Sequence, residues 1–161
     1  MHDLDSILAA LATNTWPAEH HGRALAAAAL SLAAYEGRVR DQGTPYIEHP
    51  LAVVAILRDE LHISHPETLI FGLLHDALEV TPSSEPEIAI RLGCSFVAEL
   101  RAMTPDHRLE GRSRQATDET VWRTKTRRLS SAQTESPELK AAYEVLLGER
   151  DRYRTSGMAL T

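Results

Sequence analysis

Apolar residues recur at helical spacing along most of this chain, and no stretch alternates as a half-buried strand must. In LAVVAILRDEL the apolar positions Leu51, Val54, Leu57 and Leu61 fall on one helical face. That periodicity restricts the fold to packed helices. Ala and Leu are abundant while aromatics make up only 5% of 161 residues, a mix that favours helix over sheet. With 43% hydrophobic residues, the length suits one core, so an all-α bundle forming a single domain over residues 1–161 is expected.

Proline and glycine mark the boundaries. Residues 3–12 read as a short amphipathic helix, and TNTWPAEHHG interrupts it. A long Ala-rich helix is expected from Ala18 to Arg40, then a loop, DQGTPYIEHP, whose Pro50 can open the next helix. After HISHP, Ser64 is placed to cap a helix beginning near Pro66, with Glu67 completing a capping box. That helix is expected to run on through ETLIFGLLHDALEV. A turn and short helix follow, with Ser83 or Ser84 as cap and Gly93 as stop, then a helix over CSFVAELRAMT. Beyond it DHRLEGRSRQATD reads as a loop, ETVWRTKTRRLSSAQ and PELKAAYEVLLGERDRYR as helices, and residues 155–161 as a frayed tail.

Charge and cysteine content narrow the setting. The formal net charge is -6, which gives no basic face for a dedicated DNA binder. RTKTRR, residues 123–128, reads first as a solvated helix face. A single cysteine, Cys94, excludes an internal disulfide and fits a reducing, cytoplasmic setting. Cys94 is expected to pack inside as a small hydrophobe. No apolar stretch is long enough to span a bilayer, and the N-terminus MHDLDSILAAL is acidic where a signal peptide is basic. An exposed Ala/Leu-rich helix face can build a homo-oligomer, although the same spacing also describes core.

The chemistry concentrates in FGLLHDALEV, residues 71–80. On a helix His75 and Asp76 are about 100° apart, and Glu79 lies one turn on from both. Imidazole and carboxylate together suit Mn, Fe, Zn or Mg-type centres and need no thiolate. Two ligands do not make a site, and His49 in PYIEHP is the best candidate for a third. Glu79 is placed to orient a water or move its proton. A His-Asp pair at a helix end is also compatible with a simple hydrogen-bonded pair. His20, His21, His62, His65 and His107 read as surface or capping residues.

The wider context resembles a known family. RVRDQGTPYIEHPLAVVAIL followed by LLHDALEVT is similar to the HD-superfamily metal phosphohydrolases, and within them to the RelA/SpoT-type (p)ppGpp hydrolases and their small single-domain relatives. The family pattern is H-x-G-Q-x-R-K-x-G-x-P-Y-x-x-H-P, an apolar helix, then L-L-H-D-x-x-E-D. Gly37, Arg40, Gly43, Pro45, Tyr46, His49, Pro50, Leu73, Leu74, His75, Asp76 and Glu79 match it. RLGCSFVAELRAMT resembles a later family stretch, so the likeness is strongest over residues 25–105.

The resemblance implies an HD-type bundle holding one divalent metal, typically manganese, through His49, His75 and Asp76. It implies Glu79 as the catalytic acid acting on the attacking water, and Arg40 with Tyr46 as contacts for a phosphorylated nucleotide. The implied reaction removes a 3′-pyrophosphate from a guanosine polyphosphate.

Several positions depart from the pattern. The second acid of E-D is Val80, the opening H-x-G-Q reads Tyr35-Glu36-Gly37-Arg38, and the cation after Arg40 is Asp41. The family's fourth ligand, the Asp of K-x-A-D-x-x-x-N, corresponds to Tyr143 in KAAYEVLL. Glu144 beside it is the nearest substitute, ahead of Asp118, Glu119 and Asp151. These departures motivate a second reading, a degenerate HD scaffold that binds a nucleotide or a protein partner without turnover.

Overall fold

The structure, a computed structural model, describes residues 2–40 and 43–104. Among these, regular structure is helical throughout, apart from one isolated antiparallel bridge between Val39 and Pro45. The all-α expectation holds over this span.

Helix α1, Leu4–Leu11, starts at Asp3, whose carboxylate accepts from the Ser6 N–H while Ser6 Oγ accepts from the Asp3 N–H. This reciprocal cap satisfies two donors that the first turn leaves open. Short turns at Thr13–Thr15 and Ala18–His20 lead into α2, His21–Tyr35. The expected span Ala18–Arg40 is therefore too long at both ends. Glu36 takes an extended conformation and Gly37 a positive φ of 68°, which ends the helix five residues before Arg40.

Residues 38–40 and 43–46 instead run back alongside each other. The Tyr46 N–H donates to the Arg38 carbonyl and the Arg40 N–H to the Thr44 carbonyl. Helix α3, Glu48–Ala55, follows and continues into a π-helical turn at Ile56–Glu60. His49 thus lies in the first turn of a helix rather than in the preceding loop. Pro50 sits where its missing N–H costs nothing.

Helix α4, Pro66–Leu74, is the centre of the molecule and packs on α2 and α3. Every residue in it except Glu67 is buried, which suits a helix apolar on all sides. The expected capping box from Ser64 does not form. His65 occupies the cap position without a side-chain capping bond, and Glu67 pairs with Arg23 of α2, whose guanidinium also donates to the Leu92 carbonyl.

The single helix expected through Val80 is broken at His75 and Asp76, and the short α5 covers Ala77–Val80. A turn at Pro82–Ser84, α6 at Glu85–Leu92 and α7 at Cys94–Met103 complete the described chain. Ser84 stands at the α6 cap, but its hydroxyl donates to the Thr81 carbonyl instead of capping. Gly93, with φ of 103°, divides α6 from α7. Cys94 opens α7 on the solvent side and is exposed, which corrects its expected place in the interior. Among the described residues no helix is long and apolar enough to cross a membrane.

Candidate metal centre

The break in α4 creates the site. With α4 ending at Leu74 and α5 beginning at Ala77, the His75 and Asp76 side chains are turned toward the first turn of α3. Gly72 allows the approach. A Cβ there would lie 2.8 Å from Leu57 Cδ1 on the π-helical turn and 3.6 Å from Val53 Cγ1 on α3, so a larger residue would make the Leu57 side chain shift. Tyr35 supports the break by donating its hydroxyl to the Leu73 carbonyl at 2.9 Å. Thr81 ties the far end of α5 to α2 through the Ala34 carbonyl.

The ligand atoms of His49, His75 and Asp76 all lie within 4.8 Å of one another, and the three residues are buried. His75 Nε2 and His49 Nε2 are 3.2 Å apart, and Asp76 Oδ2 lies 3.3 Å from the first and 3.5 Å from the second. Two nitrogen ligands about 2.1 Å from a shared ion and about 100° apart are separated by about 3.2 Å. The triangle therefore has the dimensions of one face of a coordination shell.

His75 is in the right tautomer for this. Its Nδ1 lies 2.7 Å from the Gly72 carbonyl, which can only accept, so the proton is on Nδ1 and the Nε2 lone pair faces the cluster. Asp76 stands at the start of α5, a position where aspartate often caps. Here its side chain makes no capping bond, and Oδ2 accepts from the Tyr46 hydroxyl at 2.8 Å. Two imidazoles and a carboxylate, without a thiolate, form a donor set suited to a divalent transition metal or magnesium. A cation there also offsets the burial of carboxylate charge.

Glu79, on α5, is buried at 4% exposure. Its charge and that of Asp76 reach the two nearby tyrosines. Burial first, then the Asp76 carboxylate, pushes the Tyr35 and Tyr46 phenols well above their usual range, with a further contribution from Glu79. Both tyrosines accordingly keep their protons at neutral pH. Val80, at the position of the resembled family's second acid, is a buried apolar residue.

The remaining candidates are placed as follows. Tyr46 joins the cluster through Asp76, with its ring half-buried. Arg40 is half-buried, with its backbone engaged by Thr44 and Gly43. Glu144, Asp118, Glu119, Asp151, Tyr143, Asp41, His107 and the RTKTRR run lie outside the described residues. A separate cavity of about 1130 Å³ opens on the α1 side, lined by Leu4, Leu32, Tyr35, Val39 and Ile47 among others. Its lining includes none of the three donors, and its apolar walls do not suit phosphate chemistry. Sequence reasoning missed Tyr35 and Gly72. The signals were present as a departure from H-x-G-Q and as a glycine inside an apolar helix.

Comparison with known proteins adds the following. A family model described as an HD domain matches residues 26–137. A guanosine-3′,5′-bis(diphosphate) 3′-pyrophosphohydrolase of Haemophilus influenzae is 38% identical over 82 residues, 51% of this chain and 12% of that protein. The bifunctional (p)ppGpp synthase/hydrolase SpoT of Escherichia coli is 46% identical over 67 residues, 42% of this chain and 9% of that protein. The human guanosine-3′,5′-bis(diphosphate) 3′-pyrophosphohydrolase MESH1 is 35% identical over 68 residues, 42% of this chain and 38% of that protein. The matches thus span roughly a tenth of the two bacterial relatives. No solved structure matches the chain significantly.

Proposed function

This chain belongs to the HD domain family, and from that premise we propose that it is a metal-dependent phosphohydrolase acting on a nucleotide of the (p)ppGpp type. The observation that carries the reading is the buried triangle of His49 Nε2, His75 Nε2 and Asp76 Oδ2, with the His75 tautomer set by the Gly72 carbonyl. The named activities of the relatives supply the substrate class.

In this reading His49, His75 and Asp76 hold one divalent ion, manganese by preference. When bound, such an ion supplies Lewis acidity toward a water molecule and a phosphate oxygen. A Glu79 carboxylate oxygen accepts a proton from the attacking water, so that the new bond to phosphorus forms without building up positive charge. The bond between the 3′-oxygen and phosphorus breaks, the 3′-oxygen takes up the proton that Glu79 accepted, and pyrophosphate leaves. Arg40 meets the nucleotide phosphates. The Tyr46 hydroxyl is engaged with Asp76, so any contact it makes with substrate falls to its ring. Glu144 is the proposed fourth ligand. The setting is cytoplasmic, and one domain suffices.

Val80 favours a second reading, in which the scaffold binds a nucleotide or a protein partner without turnover, because a buried apolar side chain stands where the family pattern has an acid. One experiment separates the two. Guanosine 3′,5′-bis(diphosphate) is incubated with the protein and Mn²⁺, and products are resolved chromatographically. Release of pyrophosphate that stops on chelation and in Asp76→Ala supports the hydrolase. Tight nucleotide binding with no product under any divalent metal supports the scaffold.

A further inference from the structure

We propose that Tyr35 and Tyr46 act as one brace that fixes the Asp76 carboxylate for metal binding. The inference rests on the metal-centre reading above and adds two positioning residues to it.

The Tyr46 hydroxyl donates to Asp76 Oδ2 at 2.8 Å, the same oxygen that faces both imidazoles. A carboxylate on a short helix can rotate. A hydrogen bond to the ligating group from a second residue fixes that rotation. Such a bond holds only as well as its donor is held, and the Tyr46 ring is held by Tyr35. The two rings are stacked with centroids 5.6 Å apart and planes 13° from parallel, a favourable offset arrangement.

Tyr35 is in turn fixed. It is buried to 3% exposure, and its hydroxyl donates to the Leu73 carbonyl, three residues before Asp76. The brace therefore grips Asp76 twice, once at its side chain and once at the backbone leading into the helix break. The backbone closes the same unit, because the Arg38 N–H donates to the Tyr35 carbonyl and the Tyr46 N–H to the Arg38 carbonyl. These two backbone bonds thus set the ring spacing. Tyr35 stands where the resembled H-x-G-Q pattern has histidine, so this form of the brace is a property of the present sequence.

The test is Mn²⁺ binding to the full chain, measured by calorimetry for the wild type, Tyr46→Phe, Tyr35→Leu and the double variant, alongside metal-free thermal melts. Tyr46→Phe is expected to weaken Mn²⁺ binding about 10-fold or more, with the metal-free melting temperature nearly unchanged. Because the Tyr35 ring holds that of Tyr46, part of the Tyr35 effect passes through Tyr46, and the double variant is expected to lose less than the product of the two single losses. If Tyr35→Leu does not fold, Tyr35→Phe takes its place in the same cycle. Wild-type affinity in Tyr46→Phe, or fully multiplicative losses in the cycle, would overturn the brace alone. A wild type that takes up no Mn²⁺ overturns the metal centre and the brace with it.

Discussion

His75 divides its work between two ring nitrogens: Nδ1 donates to Gly72 and Nε2 faces His49 and Asp76. In the proposed centre His75 and Asp76 are ligands, so His75→Ala and Asp76→Ala are expected to abolish Mn²⁺ uptake and turnover together. Glu79→Gln separates the two properties. It keeps the shape of the side chain but loses the base, so Mn²⁺ binding should persist while hydrolysis falls about 100-fold or more. Equal loss of binding and turnover in Glu79→Gln would instead make Glu79 a ligand. At this scale much was legible in the sequence. Adjacency made His75 and Asp76 a pair and flanking prolines singled out His49, whereas placing Glu79 one turn on assumed an unbroken helix that the structure interrupts. The Tyr46 contact to Asp76 was not legible, since it depends on a turn that brings residues thirty positions apart into contact.

Helix α4 determines how closely His49 and His75 approach, because α3 packs directly on it and Gly72 faces Leu57, Val53 and Val54. Gly72→Val puts a branched side chain against Leu57, Val53 and Val54. It should cost about 2 kcal/mol of stability by denaturant unfolding, and Mn²⁺ binding should weaken with it. Arg23 tests the other side of the same helix, where it joins α2, α4 and α6 through Glu67 and Leu92. Both charged partners are about one-third exposed, so Arg23→Ala should cost only about 1 kcal/mol. The existence of these helices followed from periodicity, but several of their ends did not. The apolar repeat continues across His75 and Asp76 without interruption, so it carried no sign of the break. The end of α2 was signalled by Gly37, yet the run of helix formers before it made a longer helix look equally good.

At the scale of the whole molecule, the proposed metal centre links stability to metal. A ligand that binds only the folded state at about 100 times its Kd stabilises by about 2.7 kcal/mol. Mn²⁺ at that excess should therefore raise the melting temperature of the wild type, chelation should reverse the rise, and His75→Ala should show none. The all-α architecture was legible because no segment alternates, and the family because motif spacing survives several substitutions. A fourth ligand was not, since Tyr143 stands at the position of the family's acid and both it and Glu144 lie outside the described residues. The most direct test of the central claim is elemental analysis of protein purified without chelator, beside His75→Ala. The account predicts about one equivalent of a divalent transition metal in the wild type and none in the variant. Metal absent from both, even after soaking with Mn²⁺, would contradict it.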